Sequence, residues 1–468
     1  MWSWFYRGSH DVNSNQRVLG SAENALMKLS QQQQGYMKVV EVLHLQGPYI
    51  SMEMLTAAVG RLQRRHPILR SRLRMRSVEP GSYLLDEDDT LRLTIREIPR
   101  NRDEYLHFWR TEWRKREKKT TVIGEGLVEF WLLQDPNDDG DDNGPREVVI
   151  ICEHSVCDGI SLSVVAHELL VSLSGGDENM FTRSLNWPLT METAIKKSLS
   201  ILGRLFILSK FILATLYLYA TTRSTVCKIP LANIDFPLID MATHCHTEAA
   251  YGILNKEDTQ KLIEKCHQMG VTVTSAVSSA LMCATSTLVN GHANSTSVLN
   301  FSISADTRKR CVPPVPNHDL SVHASATMMF TLPIRDVPTT TESRWHLAQA
   351  FGRHVKMSIN AGHVLALGMI LGSIYPKVMN PPNPADPVTC IVTSWGILPF
   401  HERYGRWKLT AMMPCMNMIR GGMPLTSIQT VNGVLTIMCL GPIPVFSQNT
   451  IEKLCDVTMH SLREMFQD

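Results

Sequence analysis

Residues 154–159, with the sequence HSVCDG, combine side chains that could move a proton. His154 carries an imidazole, the type of side chain best suited to act as a general base near neutral pH. Asp158 follows four residues later in a tight segment, so we expect its carboxylate to brace the loop rather than to transfer a proton. Gly159 lacks a side chain, and its backbone N–H could therefore approach a substrate closely. The alternative is that His154 is a hydrogen-bonded core residue.

The sequence places this motif between a strand and a helix. Apolar residues 127–133 and 148–152 flank an acidic turn at 135–145, which predicts a β-hairpin that ends just before His154. Apolar residues recur at helical spacing after the motif, at Leu162, Val165, Ala166, Leu169 and Leu170. Further strands are predicted at residues 37–45, 91–98, 297–304, 388–393 and 433–440, and further helices at 51–66, 256–268 and 272–288. Strands and helices are mixed throughout, which favours an α/β or α+β fold.

Length and composition limit the possible classes of protein. The chain has 468 residues, 44% of them apolar and 19% charged, which is enough for two hydrophobic cores and too apolar for a disordered protein. Lys and Arg number 46 against 44 Asp and Glu, so no global charge favours nucleic acid. The sequence has no GxGxxG or Walker pattern that would indicate a nucleotide fold or a redox cofactor.

The cysteines and the N-terminus bear on the compartment. Eleven cysteines are scattered without paired CxxC spacing, and the N-terminus lacks the features of a secretory signal. We therefore expect reduced thiols and a cytoplasmic protein. His244, Cys245 and His246 suggest a metal site, but no second ligand pair has matching spacing, and we predict no metal.

The segment 186–245 differs from the rest and is predicted to connect an N-terminal lobe, residues 1–185, to a C-terminal lobe, residues 246–468. It contains the apolar run 201–220, with Lys196 and Lys197 just before it. This pattern is typical of a helix that lies on a membrane surface, and equally of a helix that packs between lobes. A spanning helix is disfavoured because Arg204 and Lys210 interrupt the run. Membrane association through 196–220 therefore stays open.

Three stretches together resemble the superfamily of condensation domains, alcohol acetyltransferases and plant BAHD acyltransferases. They are the HxxxDG motif at 154–159, the sequence LQRRHPILR at 62–70, and DTRKRCVPP at 306–314. The resemblance covers most of the chain and implies two chloramphenicol-acetyltransferase-like lobes with an active-site tunnel between them. In relatives His66 would be architectural, and an arginine equivalent to Arg308 would pair with the aspartate of the motif. We expect a bidentate interlobe ion pair between Arg308 and Asp158.

The sequence also departs from the family pattern. Glu153 replaces the second histidine that often precedes the motif, and His323 with Ala324 stands where relatives have Gly-Asn. The DFGWG sequence of the plant enzymes is absent, and residues 393–396, TSWG, resemble a variant of it. These differences favour the alcohol-acetyltransferase branch over a plant-type enzyme.

The resemblance implies a CoA-dependent acyltransferase in which His154 is the general base. A thioester is already activated, whereas an alcohol or amine must lose a proton to attack it, so one base suffices. Backbone N–H of Gly159 and the hydroxyl of Ser394 are candidate donors to the oxyanion, and Asp158 is structural. Acyl-CoA would be a co-substrate, with no permanently bound cofactor and with cofactor-binding residues unassigned. A basic rim could come from the segment 256–268, with Lys256, Lys261 and Lys265, and from residues 308–310.

We expect the acceptor to be a hydroxyl or amine of a hydrophobic small molecule and the protein to be a monomer. Two alternatives stay open. One is a condensation-type enzyme that takes its acyl group from a carrier-protein thioester. The other is a catalytically silent binding protein of the same fold.

Overall fold

Two β-sheets covered by helices organise the chain in the computed structural model, which describes residues 14–77, 79–138, 140–222, 226–232, 234–289, 293–294, 296–378 and 388–467. The helices in these ranges are α1 Ser21–Gln32, α2 Met52–Arg65, α3 Phe108–Arg116, α4 Gly159–Leu173, α5 Met191–Ser198, α6 Ile201–Thr222, α7 Met241–His244, α8 Lys256–Met269, α9 Val273–Val289, α10 Thr341–Asn360, α11 His363–Val378 and α12 Gln448–Gln467. The strands are β1 Gln16–Val18, β2 Val39–Gln46, β3 Ser71–Met75, β4 Tyr83–Glu87, β5 Thr94–Pro99, β6 Val128–Gln134, β7 Pro145–Cys152, β8 His246–Leu254, β9 Val298–Asp306, β10 Ala324–Ala326, β11 Phe330–Pro333, β12 Cys390–Ile397, β13 Arg403–Tyr404, β14 Trp407–Met416, β15 Leu425–Val431 and β16 Val434–Ile443.

The sheet of the N-terminal lobe has the order β13-β14-β2-β7-β6-β5. The predicted hairpin is confirmed: β6 and β7 pair antiparallel, with Val128 opposite Cys152. Helix α2 begins where the hydroxyl of Ser51 accepts a hydrogen bond from the backbone N–H of Met54, and its apolar face packs against α4. A separate small sheet, β1-β4-β3, completes this lobe.

The sheet of the C-terminal lobe has the order β10-β9-β12-β15-β16-β8, with β11 pairing with β9. Strand β12 runs parallel to both of its neighbours. Helices α9, α10 and α12 pack together over a core that includes Leu281, Phe301 and Leu462. The predicted mixed α/β fold with two lobes is confirmed.

Strand β14 crosses between the lobes, although it comes late in the chain. It follows β12 of the C-terminal lobe and pairs antiparallel with β2 of the N-terminal lobe, from Lys408 opposite Gln46 to Met416 opposite Val39. The sequence did not predict this strand. The crossover brings residues 414–416 to the boundary between the lobes, where the candidate site lies. The boundaries at 185 and 245 stay a prediction.

Helix α6 is the most exposed apolar element in the described part of the chain. Over Ile201–Thr221 it is long and apolar enough to cross a membrane, and only 6% of an 18-residue apolar window within it is buried. The bent pairs α8 with α9 and α10 with α11 satisfy the same length and composition criteria if each is counted as one span. In contrast to α6, α9 is a buried core helix.

Candidate active site

The loop that carries the motif joins β7 to α4. Asp158 is the N-cap of α4: its Oδ1 accepts a hydrogen bond from the backbone N–H of Ser161 at 3.0 Å. A short carboxylate at this position satisfies one of the N–H groups that have no partner inside the helix, and it complements the helix dipole. The predicted bracing role of Asp158 thus has a local geometric basis.

His154 lies half-buried in this loop. Its Nδ1 is 2.8 Å from the backbone carbonyl oxygen of Cys157. Because a carbonyl oxygen only accepts, Nδ1 carries the hydrogen in the neutral ring, and Nε2 is left as the nitrogen that can take a proton. The ring is therefore held in the tautomer that a general base requires.

His154 lines a cavity of about 270 Å³ between the lobes, which we call the inner cavity. Most of its lining is apolar, with side chains from β2, β14, β15, β16 and α11. Four methionines are among the residues that line it: Met37, Met416, Met423 and Met438. Thioether chains are flexible and adapt to ligands of different shape. The imidazole thus faces a largely apolar cavity.

Asp158 and Arg308 form an ion pair between the lobes. Nη1 of Arg308 lies 2.7 Å from Oδ2 of Asp158, and both side chains are buried. The same Oδ2 accepts the backbone N–H of His323 at 2.9 Å. Burial alone would raise the pKa of Asp158, but the charge of Arg308 and these hydrogen bonds outweigh it and lower that pKa to about 2.

The expectation of a bidentate pair was wrong in one respect. A single guanidinium nitrogen of Arg308 contacts Asp158, while Nη2 donates to the backbone carbonyl of Ser321 at 2.8 Å. Nη1 also lies 3.3 Å from Asp306. The guanidinium is thereby divided among three acceptors, and it fixes the segment 306–323 against the start of α4.

Gly159 is covered by an aromatic side chain from the other lobe. A β-carbon at residue 159 would lie within 2.6 Å of the indole of Trp395 on β12. Only glycine allows this approach. Trp395 and Gly159 both line the inner cavity, and as the first residue of α4 Gly159 has a backbone N–H with no partner inside the helix.

Ser394 lies on the face of β12 opposite to that of Trp395. Its hydroxyl is 2.8 Å from that of Thr274 in α9, and it lines a larger cavity of about 1010 Å³, which we call the outer cavity. A narrow pocket of about 40 Å³, bordered by Gly159, Ser304, Ser394 and Trp395, adjoins both spaces. The structure therefore brings His154 and Gly159 to the inner cavity and places Ser394 at its junction with the outer one.

Three basic side chains line the outer cavity: Arg310, Arg353 and Lys356. Arg310 was within the predicted basic cluster; Arg353 and Lys356 were missed, although their spacing in α10 places them on one helix face. The predicted lysines Lys256, Lys261 and Lys265 do not line this cavity; Lys256 pairs with Glu402 and Lys261 with Glu257.

Glu153 points into the N-terminal lobe. Its carboxylate lies 3.2 Å from Nζ of Lys38 and accepts a hydrogen bond from the hydroxyl of Thr121 at 2.6 Å. Both charged groups are buried, and burial lowers the pKa of Lys38. The residue that replaces the family histidine is thus bound in a structural ion pair and does not line either cavity.

Two other histidine positions lie apart from the cavities. His66 is buried, with Nε2 2.6 Å from Glu168. His244 stacks on Phe236 with ring centroids 4.6 Å apart, and Cys245 is buried. Among the described residues, no group of three or more His, Cys, Asp and Glu side chains is arranged to hold a metal ion.

His323 occupies the position near which relatives have Gly-Asn. Its Nδ1 is 3.0 Å from the hydroxyl of Thr307. Burial, followed by the charge of Arg308, lowers the pKa of His323 to about 4. The ring is therefore neutral at pH 7. The backbone N–H of His323, not its ring, donates the hydrogen bond that helps to hold Asp158.

Comparison with known proteins agrees with this architecture. Residues 247–437 match the family described as phthiocerol/phthiodiolone dimycocerosyl transferase C-terminus. The chain has the fold of the condensation-domain and acyltransferase superfamily. No curated protein matches the sequence significantly.

Solved structures of this fold match nearly the whole chain at low identity. Trichothecene 15-O-acetyltransferase TRI3 from Fusarium sporotrichioides is 12% identical, with a TM-score of 0.76 over 98% of this chain and 97% of that one. Polyketide synthase associated protein 5 from Mycobacterium tuberculosis is 16% identical, with a TM-score of 0.67 over 95% and 98%. The condensation domain of the monacolin K polyketide synthase MokA is 10% identical, with a TM-score of 0.66 over 97% and 98%.

Proposed function

We propose that the protein transfers an acyl group from acyl-CoA to a hydroxyl or amine of a hydrophobic small molecule, with His154 as the general base. The observation that carries this proposal is the position of His154: its Nδ1 is fixed by the carbonyl of Cys157, and its ring lines an apolar cavity between the lobes. A neutral imidazole with a free Nε2 has the form needed to accept a proton.

The chemistry follows from the two substrates. Nε2 of His154 takes the proton of the acceptor as its oxygen or nitrogen attacks the acyl carbonyl. The tetrahedral intermediate then expels the thiolate, which receives that proton from the imidazolium. In these steps the acceptor's proton ends on the released thiol, and no covalent acyl-enzyme intermediate is needed. The oxyanion would be stabilised by the N–H groups at the start of α4, where Gly159 lies, and such donors contribute roughly 3–4 kcal/mol.

The outer cavity supports CoA as the donor. Its volume of about 1010 Å³ and its three basic side chains, Arg310, Arg353 and Lys356, suit a long molecule that carries phosphates. The narrow pocket between the cavities would then admit the thioester to His154. Ser394, at this junction, keeps its proposed role as a second oxyanion donor.

The test is incubation of candidate alcohols and amines with acetyl-CoA and long-chain acyl-CoA, followed by mass spectrometry of the products and titration of released thiol. We expect His154→Ala to lower kcat/KM by about 10²- to 10⁴-fold while the protein stays folded. His460→Ala is the matched control, because His460 is 75% exposed on α12, and it should leave turnover unchanged.

Other outcomes would favour the alternatives. Turnover only with an acyl group on a pantetheinylated carrier protein would identify a condensation-type enzyme. Binding of hydrophobic ligands without turnover of either donor, and unchanged in His154→Ala, would identify a silent binding protein and reject the proposal.

A further inference from the structure

The apolar residues of α6 are presented outwards instead of towards the protein. The apolar side chains that are at least half exposed are Ile201, Leu202, Leu205, Phe206, Ile212, Leu213, Leu216, Tyr217 and Tyr219. An exposed apolar surface of this extent on one helix marks an interaction site. The opposite face packs on the protein: Phe211 contacts the ring of His363, and Ile207 lies against Gly362.

Both ends of α6 are attached to the same body of the protein. Before the helix, the hydroxyl of Ser198 accepts a hydrogen bond from the backbone N–H of Val312 at 2.7 Å. After the helix, Val226 forms a β-bridge with Val298. The backbone N–H of Cys227 donates a hydrogen bond to the carbonyl oxygen of Val298 at 2.8 Å. The helix is thus held at each end by the C-terminal lobe.

This attachment excludes a single crossing of a bilayer by the folded protein. Twenty-two helical residues extend about 33 Å. The four peptide steps from Thr222 to Val226 reach at most about 14 Å. A helix that crossed a membrane would leave one end on the far side, too far from its attachment. The apolar face can be removed from water only if α6 lies parallel to the surface that it binds.

The charge around α6 indicates the chemistry of that surface. Between Glu192 and Asp235 the sequence has no acidic residue, but it has six basic ones: Lys196, Lys197, Arg204, Lys210, Arg223 and Lys228. Lys196, Lys197 and Lys210 are exposed. Nζ of Lys210 lies 4.2 Å from the ring centroid of Phe206. Basic groups beside an apolar helix complement anionic headgroups above acyl chains.

We propose that α6 is an interfacial helix that lies in the plane of an anionic lipid surface, with its apolar residues among the acyl chains. Helix α11, which packs against α6, also lines the inner cavity through Leu367 and Leu371. The bound surface would therefore lie one helix away from the inner cavity. The lipid-binding role does not depend on the chemistry at His154.

The test is sedimentation of the full chain with vesicles of phosphatidylcholine alone and with 30% phosphatidylserine, at ionic strengths of about 0.1 M and 0.5 M. We expect binding to the anionic vesicles that weakens with salt. Leu213→Glu with Tyr217→Glu should weaken it at least about tenfold, and Lys196→Gln with Lys197→Gln about tenfold. Met75→Glu with Val122→Glu, which changes two exposed apolar residues of the N-terminal lobe, is the matched control and should bind as the wild type does.

The orientation of α6 relative to the bilayer can be tested separately by labelling introduced thiols, because all eleven native cysteines are buried. Ser200→Cys and Thr221→Cys place a thiol near each end of α6. With protein added outside sealed vesicles, an impermeant maleimide should label both positions. Labelling of only one position would mean that α6 spans the bilayer. Equal binding by the Leu213→Glu, Tyr217→Glu variant, or a lipid-independent dimer that this variant dissociates, would overturn the proposal.

Discussion

The indole of Trp395 on β12 packs directly against Gly159 at the start of α4, so that the two lobes meet at the residue that follows the motif aspartate. The contact couples the strand that separates the two cavities to the loop that carries His154. Its closeness depends on the absence of a β-carbon at 159.

We predict that Gly159→Ala displaces Trp395, lowers the free energy of unfolding by about 1–3 kcal/mol and reduces any acyl transfer. Denaturant unfolding and kcat/KM measure the two effects. Trp395→Ala in the same chain should relieve part of the lost stability, since it removes the clash. Gly60→Ala is the control: apart from the neighbouring backbone of α2 itself, no atom lies within 4 Å of a β-carbon there, and replacing glycine inside α2 should stabilise by about 1 kcal/mol.

The interlobe pair of Asp158 and Arg308 predicts a pH dependence. The folded pKa of Asp158, about 2, is below its ordinary value of 3.8, so its contribution to stability is present above about pH 4 and is lost as the pH falls towards 2. Asp158→Asn keeps a residue suited to the N-cap but leaves the buried Arg308 with only its longer contact to the carboxylate of Asp306, which should cost up to about 3–5 kcal/mol at pH 7.

Denaturant unfolding measured from pH 7 to pH 2 tests the predicted pH dependence of the Asp158 contribution. The difference in stability between the wild type and Asp158→Asn should shrink below pH 4, whereas exposed Asp89→Asn should follow the wild type throughout. A difference that does not change with pH would show that the charge of Asp158 contributes nothing.

Some of this arrangement follows from local sequence, and some does not. The turn at 135–145 and the helical spacing after Gly159 are local signals, and they place His154 correctly between β7 and α4. Strand β14 depends on pairing with β2, more than 360 residues earlier, and an apolar segment does not specify a distant partner. Arg353 and Lys356 join Arg310 at the outer cavity only through the packing of α10.

Glu153 gives a third prediction, because its position next to the motif suggests chemistry while its contacts are structural. Glu153→Gln should leave the Lys38 ammonium without its buried partner and lower stability by about 3–5 kcal/mol. Lys38→Met combined with Glu153→Gln should cost less than the sum of the two single changes. The exposed pair Lys261 and Glu257 is the control, with an expected coupling below about 1 kcal/mol. A catalytic role would instead lower kcat in Glu153→Gln without changing stability.

Glu41 on β2 gives a pH prediction of the opposite sign. It is fully buried; its Oε1 accepts a hydrogen bond from the hydroxyl of Ser163 at 2.7 Å, and its Oε2 has no hydrogen-bond partner among the described residues. Burial raises its pKa to about 8 from an ordinary 4.5. Because the folded state then holds the proton more tightly, Glu41 progressively destabilises the wild type as the pH rises from about 4.5 to about 8.

Glu41→Gln should remove this loss, so that the variant gains stability relative to the wild type between pH 5 and pH 8, while exposed Glu53→Gln gains none. An equal slope in the wild type and Glu41→Gln, measured by denaturant unfolding across this range, would mean that Glu41 is ionised in the folded protein.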